Sequence, residues 1–163
     1  MRVLGIDPGS SVTGFGVVDD NGERLTAIEW GGIRTSSNQS FPKRLKTISC
    51  GLEEIIQRHR PDIAAIEGLF FAKNASSALK LGEVRGVTIL TASNLGLEVV
   101  EYSPLEVKQS VVGYGRADKR QVQDMVVALL KLTETPRPND AADALAIAIC
   151  HIHSALMKKR LML

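Results

Sequence analysis

Apolar and β-branched residues come in short runs at the start of the chain, over Arg2 to Asp7, Thr13 to Asp19 and Arg24 to Gly32. Asp7-Pro8-Gly9-Ser10 and Asp19-Asp20-Asn21-Gly22 separate them, so the pattern predicts three strands joined as an antiparallel meander. At Phe41 the period changes: Leu45, Ile48, Leu52, Ile55 and Ile56 share one side of a helix that ends before Pro61. Ile63 to Ile66 is a continuous apolar run, suited to a strand buried on both faces, and it ends at Glu67. Asn74 is placed to cap a helix reaching about Asn94, on which Ala78, Gly82 and Gly86 recur every four residues. Leu97 to Tyr102 reads as a further strand. Ser103-Pro104 then opens a helix, Gly113-Tyr114-Gly115 breaks it, and Asp118 caps the next, which carries Val122, Met125, Val126, Leu129 and Leu130. Pro136-Arg137-Pro138 stops the chain before a last helix from Asp140 to about Lys159. The order predicts a mixed α/β domain, with residues 1–163 as one unit.

Four acids interrupt this pattern where charge is expensive. Asp7 and Glu67 close apolar strands, and Asp140 and Asp143 lie three apart on the face of an alanine-rich helix that also carries Ile147. Each has a local explanation. Asp7 fits an Asp-Pro-Gly turn, Glu67 a strand end entering a loop, and Asp140 an N-cap with Asp143 in the first turn. Together they suggest more, because neighbouring strand ends and an incoming helix start can meet at one edge of a mixed sheet. Bare carboxylates about 5 Å apart repel by roughly 3 kcal/mol per pair at an effective dielectric near 20. Oxygen-only ligands are what hard divalent cations select, and four carboxylates suit two Mg²⁺ ions about 4 Å apart, with Mn²⁺ able to substitute. Such a pair activates water and stabilises the leaving oxygen in phosphodiester hydrolysis.

Composition narrows the class. The chain is 44% hydrophobic and 23% charged, with no apolar run near 18 residues and no basic-then-apolar leader, so a soluble cytoplasmic protein without a membrane partner is expected. Cys50 and Cys150 lack metal-like spacing and read as buried free thiols. The net charge of +2 by itself argues weakly against a nucleic-acid partner, but Arg34, Lys43, Arg44 and Lys46 follow one another with no acid between them. A solvated face accounts for them equally well. It accounts better for Lys158, Lys159 and Arg160.

Several stretches resemble those of a known family. They are Gly5-Ile6-Asp7-Pro8-Gly9 with Thr13-Gly14-Phe15-Gly16, Ile66-Glu67, Phe70-Phe71-Ala72-Lys73-Asn74, and Ala78-Leu79-Lys80-Leu81-Gly82. Val107-Lys108, Gly113-Tyr114-Gly115, Lys119, Gln121-Val122 and Asn139-Asp140-Ala141-Ala142-Asp143-Ala144-Leu145-Ala146 continue the likeness through nearly the whole chain. In order and spacing they are similar to RuvC-type Holliday junction resolvases. The resemblance implies an RNase H-like fold with a mixed five-stranded sheet, three antiparallel strands then parallel ones, flanked by helices. It implies paired, symmetric, metal-dependent cutting of four-way junctions in recombination and repair, leaving 5′-phosphate and 3′-hydroxyl ends. Asp7, Glu67, Asp140 and Asp143 would be the catalytic metal ligands. Phe70 would stack at the junction centre, with Lys73, Asn74, Lys108 and Lys119 on the DNA, although Asn74 also serves as a helix cap and Phe71 suits packing. A two-fold dimer through the Ala78, Gly82, Gly86 helix and a branch-migration motor as partner are implied in the same way. Two other classes stay open: an actin-like ATP-binding fragment, because Asp-x-Gly between strands resembles a phosphate loop, and a junction-binding protein without activity. His151 and His153 start about 12 Å along the helix from Asp143 and stand outside the expected site.

Overall fold

In the computed structural model, which describes residues 1–68 and 74–162, strands β1 (Arg2–Asp7), β2 (Val12–Asp20) and β3 (Leu25–Arg34) form the expected meander. Helix α1 (Phe41–His59), strand β4 (Ile63–Glu67), helix α2 (Ala75–Asn94) and strand β5 (Glu98–Tyr102) follow, then helices α3 (Pro104–Val112), α4 (Lys119–Leu130) and α5 (Asn139–Leu161). The sheet order is β3-β2-β1-β4-β5. β1 is antiparallel to β2 and parallel to β4, which is parallel to β5. This is the mixed five-stranded sheet expected from the sequence.

Alternation along the central strand divides the core. Leu4 and Ile6 pack with Ile48, Leu52, Ile55 and Ile56 of α1 and Val84 of α2 on one face. Val3 joins Ala65 and the Leu145 to Ile152 stretch of α5 on the other. Each fully buried Leu or Ile contributes about 1.5–3 kcal/mol, so both faces are well supported. By the same alternation Gly5 and Asp7 share the face of Val3, and Glu67 shares the face of Ala65. Both strand-end acids therefore point to the side covered by α5.

That helix lies unusually close to the sheet. A Cβ on Gly5 would stand 1.9 Å from the Ala144 carbonyl oxygen, and one on Gly14 would stand 2.1 Å from that of Asp140. Bare glycines thus form the bed on which the start of α5 rests. With 23 residues and a mean hydropathy of 1.2 over its most apolar window, α5 is long and apolar enough to cross a membrane, yet 61% of that window is buried inside the fold.

Two expectations are corrected. Cys50 is exposed, because the buried stripe of α1 runs through Ile48, Leu52 and Ile55 and leaves position 50 facing outward; Cys150 is buried in α5. Asp140 is not the cap of α5: Pro138 stands there with no side-chain cap bond, and Asp140 occupies the first turn. Asn74 does cap α2, its Oδ1 accepting from the Ser76 N–H at 2.8 Å.

Candidate active site

β1 and β4 are hydrogen-bonded neighbours in parallel register, Ile6 beside Ile66, so Asp7 and Glu67 leave the sheet at the same edge about one strand spacing apart. Their side chains are hydrogen-bonded to each other. Asp7 is held by the turn that follows it. Thr13, fully buried, donates its hydroxyl to the Gly9 carbonyl at 2.9 Å and accepts from the Gly9 N–H at 3.3 Å. The Ser10 carbonyl accepts from the Thr35 hydroxyl at 2.5 Å and from Arg44 Nη2 at 2.6 Å. The turn suggested by the sequence is present, and it fixes the acid at the edge.

The helix-borne pair arrives through the glycine bed: Gly14, opposite Asp7 in the β1–β2 register, receives the backbone of Asp140. From α4, whose start is secured by a capping box between Asp118 and Gln121, Lys119 reaches back to place Nζ 2.7 Å from Asp143 Oδ2. All four acids and Lys119 act on one another. Burial, then Glu67, Asp143 and Asp140, push the Asp7 carboxyl up from 3.8 to about 8, with Lys119 opposing. Glu67 is raised by burial and by Asp143, and held back by the Asp7 hydrogen bond, Lys119 and Arg85. Burial works against the Lys119 charge, but the bond to Asp143 and the surrounding acids outweigh it and raise the ammonium group.

This is a site with more negative charge than its protein surroundings neutralise. Protons and Lys119 supply the missing positive charge, and the donors are all carboxylate oxygen, which fits hard divalent cations. Among the described residues no three acids converge tightly enough to enclose one ion by themselves. Binding through one or two carboxylates, completed by water and phosphate oxygens, is the usual manner of Mg²⁺.

The proton on Asp7 gives a measurable consequence. Its folded value lies above its ordinary one, so the stability it contributes is complete below about pH 4 and is lost as pH rises through 8. In metal-free protein Asp7→Asn should remove this loss, and its stability advantage over the parent should grow by up to about 1.4 kcal/mol per pH unit and level off above pH 8. Denaturant unfolding in chelator across that range reads the difference directly; parallel pH profiles would contradict it.

Beside the acids a cleft of about 340 Å³ opens between α3, α4 and α5, bordered by Glu67, Asp143, Lys108 and Lys119 over an apolar floor that includes Val107 and Ile147. Both expected lysines thus face the carboxylates. A larger groove of about 640 Å³, between α3 and the far half of α5, contains none of the four acids. Phe70, Phe71 and Lys73 lie outside the described residues. Arg85 was not anticipated: it is 6% exposed on α2, bonded to Glu101 at 2.9 Å, and its Nε has no partner among the described residues. A charge on the buried stripe with Val84 and Thr88 was its signal in the sequence. The histidines serve elsewhere, His151 on the Tyr102 hydroxyl and His153 on the Ser110 carbonyl. At Gly82 and Gly86 an added Cβ would meet nothing within 4 Å, so these glycines do not serve contact between α2 and its own sheet.

Comparison with known proteins shows the family and the fold. The family model for crossover junction endodeoxyribonuclease RuvC matches residues 3–151. A protein of that name from Caldanaerobacter subterraneus subsp. tengcongensis is 54% identical over 161 residues, 99% of this chain and 98% of its own. Another from Geobacter sp. strain M21 is 55% identical over 157 residues, 96% and 95% of the two chains. Among solved structures, T. thermophilus RuvC in complex with Holliday junction substrate superposes with a TM-score of 0.92 at 37% identity, covering 97% of this chain and 96% of that one. The yeast mitochondrial Holliday junction resolvase Ydc2, 13% identical with a TM-score of 0.67 over 98% and 82% of the two chains, shares the fold. None of these likenesses favours an ATP-binding protein or an inactive binder.

Proposed function

The chain belongs to the family of RuvC crossover junction endodeoxyribonucleases, and we propose that it resolves Holliday junctions by metal-dependent hydrolysis at the edge formed by Asp7, Glu67, Asp140 and Asp143. The observation that carries this reading is the shared electrostatics of the four acids: neighbouring strands and a glycine-seated helix concentrate negative charge, and burial with the other three acids pushes the Asp7 carboxyl up to about 8. Divalent ions, with Mg²⁺ as the expected physiological choice and two per site, would be held by these four residues and would supply water activation and stabilisation of the leaving oxygen.

The protein's own groups do the rest. Lys108 and Lys119 border the cleft as fixed positive charges for the scissile phosphate. The Asp143 contact keeps Lys119 at the rim. Water adds to phosphorus in line with the 3′ oxygen, the P–O3′ bond breaks, and the products are a 5′-phosphate and a 3′-hydroxyl. No covalent protein intermediate forms. Two symmetry-related strands must be cut, which suits a two-fold dimer. The exposed Leu79 and Leu90 and the open surface at Gly82 and Gly86 make α2 the proposed contact. A branch-migration motor and a cytoplasmic setting belong to the same proposal.

Incubation of the purified protein with a synthetic four-way junction and with linear duplex, in Mg²⁺ or in chelator, tests it. Paired nicks in the junction alone, only with metal and with ligatable ends, are expected. Cutting that survives the chelator would refute the mechanism, and equal cutting of plain duplex would refute the junction specificity.

A further inference from the structure

The basic segment between β3 and α1, which the sequence left open, acquires a place in the fold. β3 runs antiparallel to β2 with Arg34 beside Val12, so it ends at the same sheet edge as Asp7. α1 begins seven residues later at Phe41, and its first turns lie along that edge. Between Glu29 and Glu53 the chain has no acid and carries Arg34, Lys43, Arg44 and Lys46. A groove of about 510 Å³ lies there, lined by Gln39, Lys43, Lys46 and Thr47 over a floor of Ile33 and Gly51. Glu54 closes its far end, so the positive potential is concentrated toward the carboxylate edge.

The two lysines and Arg44 have different positions. Arg44 is committed to protein acceptors: Nη2 to the Ser10 carbonyl at 2.6 Å, Nε to the Thr35 hydroxyl at 3.0 Å, with its guanidinium over the Phe41 ring. It ties the start of α1 to the turn that holds Asp7. Lys43 and Lys46 are exposed, and no acid bonds either of them among the described residues.

We propose that this groove is a phosphate-backbone site for a duplex arm of the junction, with Lys43 and Lys46 as its contacts and Gln39 and Thr47 as neutral hydrogen-bonding partners. The inference rests on the nuclease reading above. β3 stands two strand spacings from β1, about 10 Å, and the groove lies in the α1 layer on the sheet face away from the acids, a further offset of about 10 Å, so it stands about 15 Å from the cut, about four base pairs of duplex axis. The groove is therefore one arm's backbone away from the cut, on the flank opposite Lys108 and Lys119, and the arm is gripped on both sides of the acids. Because Arg44 joins this grip to the Asp7 turn, DNA register and carboxylate position are set by one rigid unit.

The test measures junction binding in chelator, where nothing is cut, for the intact protein, for Lys43→Gln with Lys46→Gln, and for Lys158→Gln with Lys159→Gln. The last pair removes the same charge about 22 Å along α5 from Asp143. Expected are a fall of about 2 per protomer, about 4 for the dimer, in the slope of log affinity against log salt for the groove variant and an unchanged slope for the tail variant. Methylphosphonates about four pairs from the cut should weaken the intact protein and leave the groove variant unaffected. Equal slopes for all three proteins, or equal sensitivity to the neutral phosphates, would overturn the groove. Absence of junction binding by the intact protein would overturn the nuclease reading and the groove with it. An unchanged melting temperature for the groove variant confirms that its fold is intact.

Discussion

Asp7→Asn should abolish junction cutting, lowering the rate by about 10³-fold or more, which corresponds to about 4 kcal/mol of lost transition-state stabilisation. Asparagine keeps the size and polarity of the side chain but not its charge. It can neither attract a divalent ion as a carboxylate does nor complete the set formed with Glu67, Asp140 and Asp143. The turn that holds position 7 uses Gly9, Thr13, Ser10, Thr35 and Arg44, none of which bonds the Asp7 carboxylate, so the local backbone should survive. Junction binding should survive with it. Stability at pH 8 in chelator should rise, since a buried acid crowded by three others is removed. Loss of cutting with gain of stability is the signature of a catalytic charge. A variant that unfolds, or that cuts normally, would instead make Asp7 a turn residue.

Gly14→Ala is expected to have the second largest effect, through the backbone. A methyl group there would stand 2.1 Å from the Asp140 carbonyl oxygen and 2.4 Å from its carbonyl carbon, so α5 must lift or β2 must bend. Overpacking of this kind costs about 3 kcal/mol, near the upper end for an added methylene because backbone meets backbone and no side chain can rotate away. That is a large share of the 5–15 kcal/mol typical of a domain. The displaced part of α5 carries Asp140, so cleavage should fall at least about tenfold even in molecules that remain folded, because metal and phosphate positions tolerate little displacement. Denaturant midpoints and single-turnover cutting measure the two losses separately. A stability within about 0.5 kcal/mol of the parent would show that the bed is looser than the structure has it.

The secondary structure was legible because each element is locally consistent. The 3.6 period of α1, the paired caps of α3 and α4, and the turn residues around β1 and β2 all point one way. Asp7 and Glu67 were legible for the opposite reason, being charges that end apolar strands. Their meeting with Asp140 and Asp143 followed from topology once a mixed sheet was assumed. Less could be read where a residue's role depends on what stands opposite. Gly14 belongs to a quoted motif, yet its purpose, contact with the backbone of a helix 126 positions later in the chain, is a property of packing alone. Arg85, on a helix whose small residues drew the sequence reading, is buried by the fold near Glu67. Cys50 was misplaced because a helical pattern gives a face reliably but a single off-face position poorly, and Asp140 because Pro138 took the cap position instead.

The order of elements along the chain has a consequence for how this nuclease comes into being. α5 follows every strand it covers, and it carries half of the carboxylates. At a synthesis rate of about 5–20 residues per second, the ribosome holds for some seconds a sheet whose Val3, Val18 and Ala65 lack their cover. Chaperones that recognise apolar surface have their opportunity then. Asp7 and Glu67 are already made at that stage, but they have no partners from the helix, so with the proposed site a nascent chain would not yet cut DNA. On that proposal, completing the fold and completing the active site would be one event, the settling of the last helix onto the glycine bed.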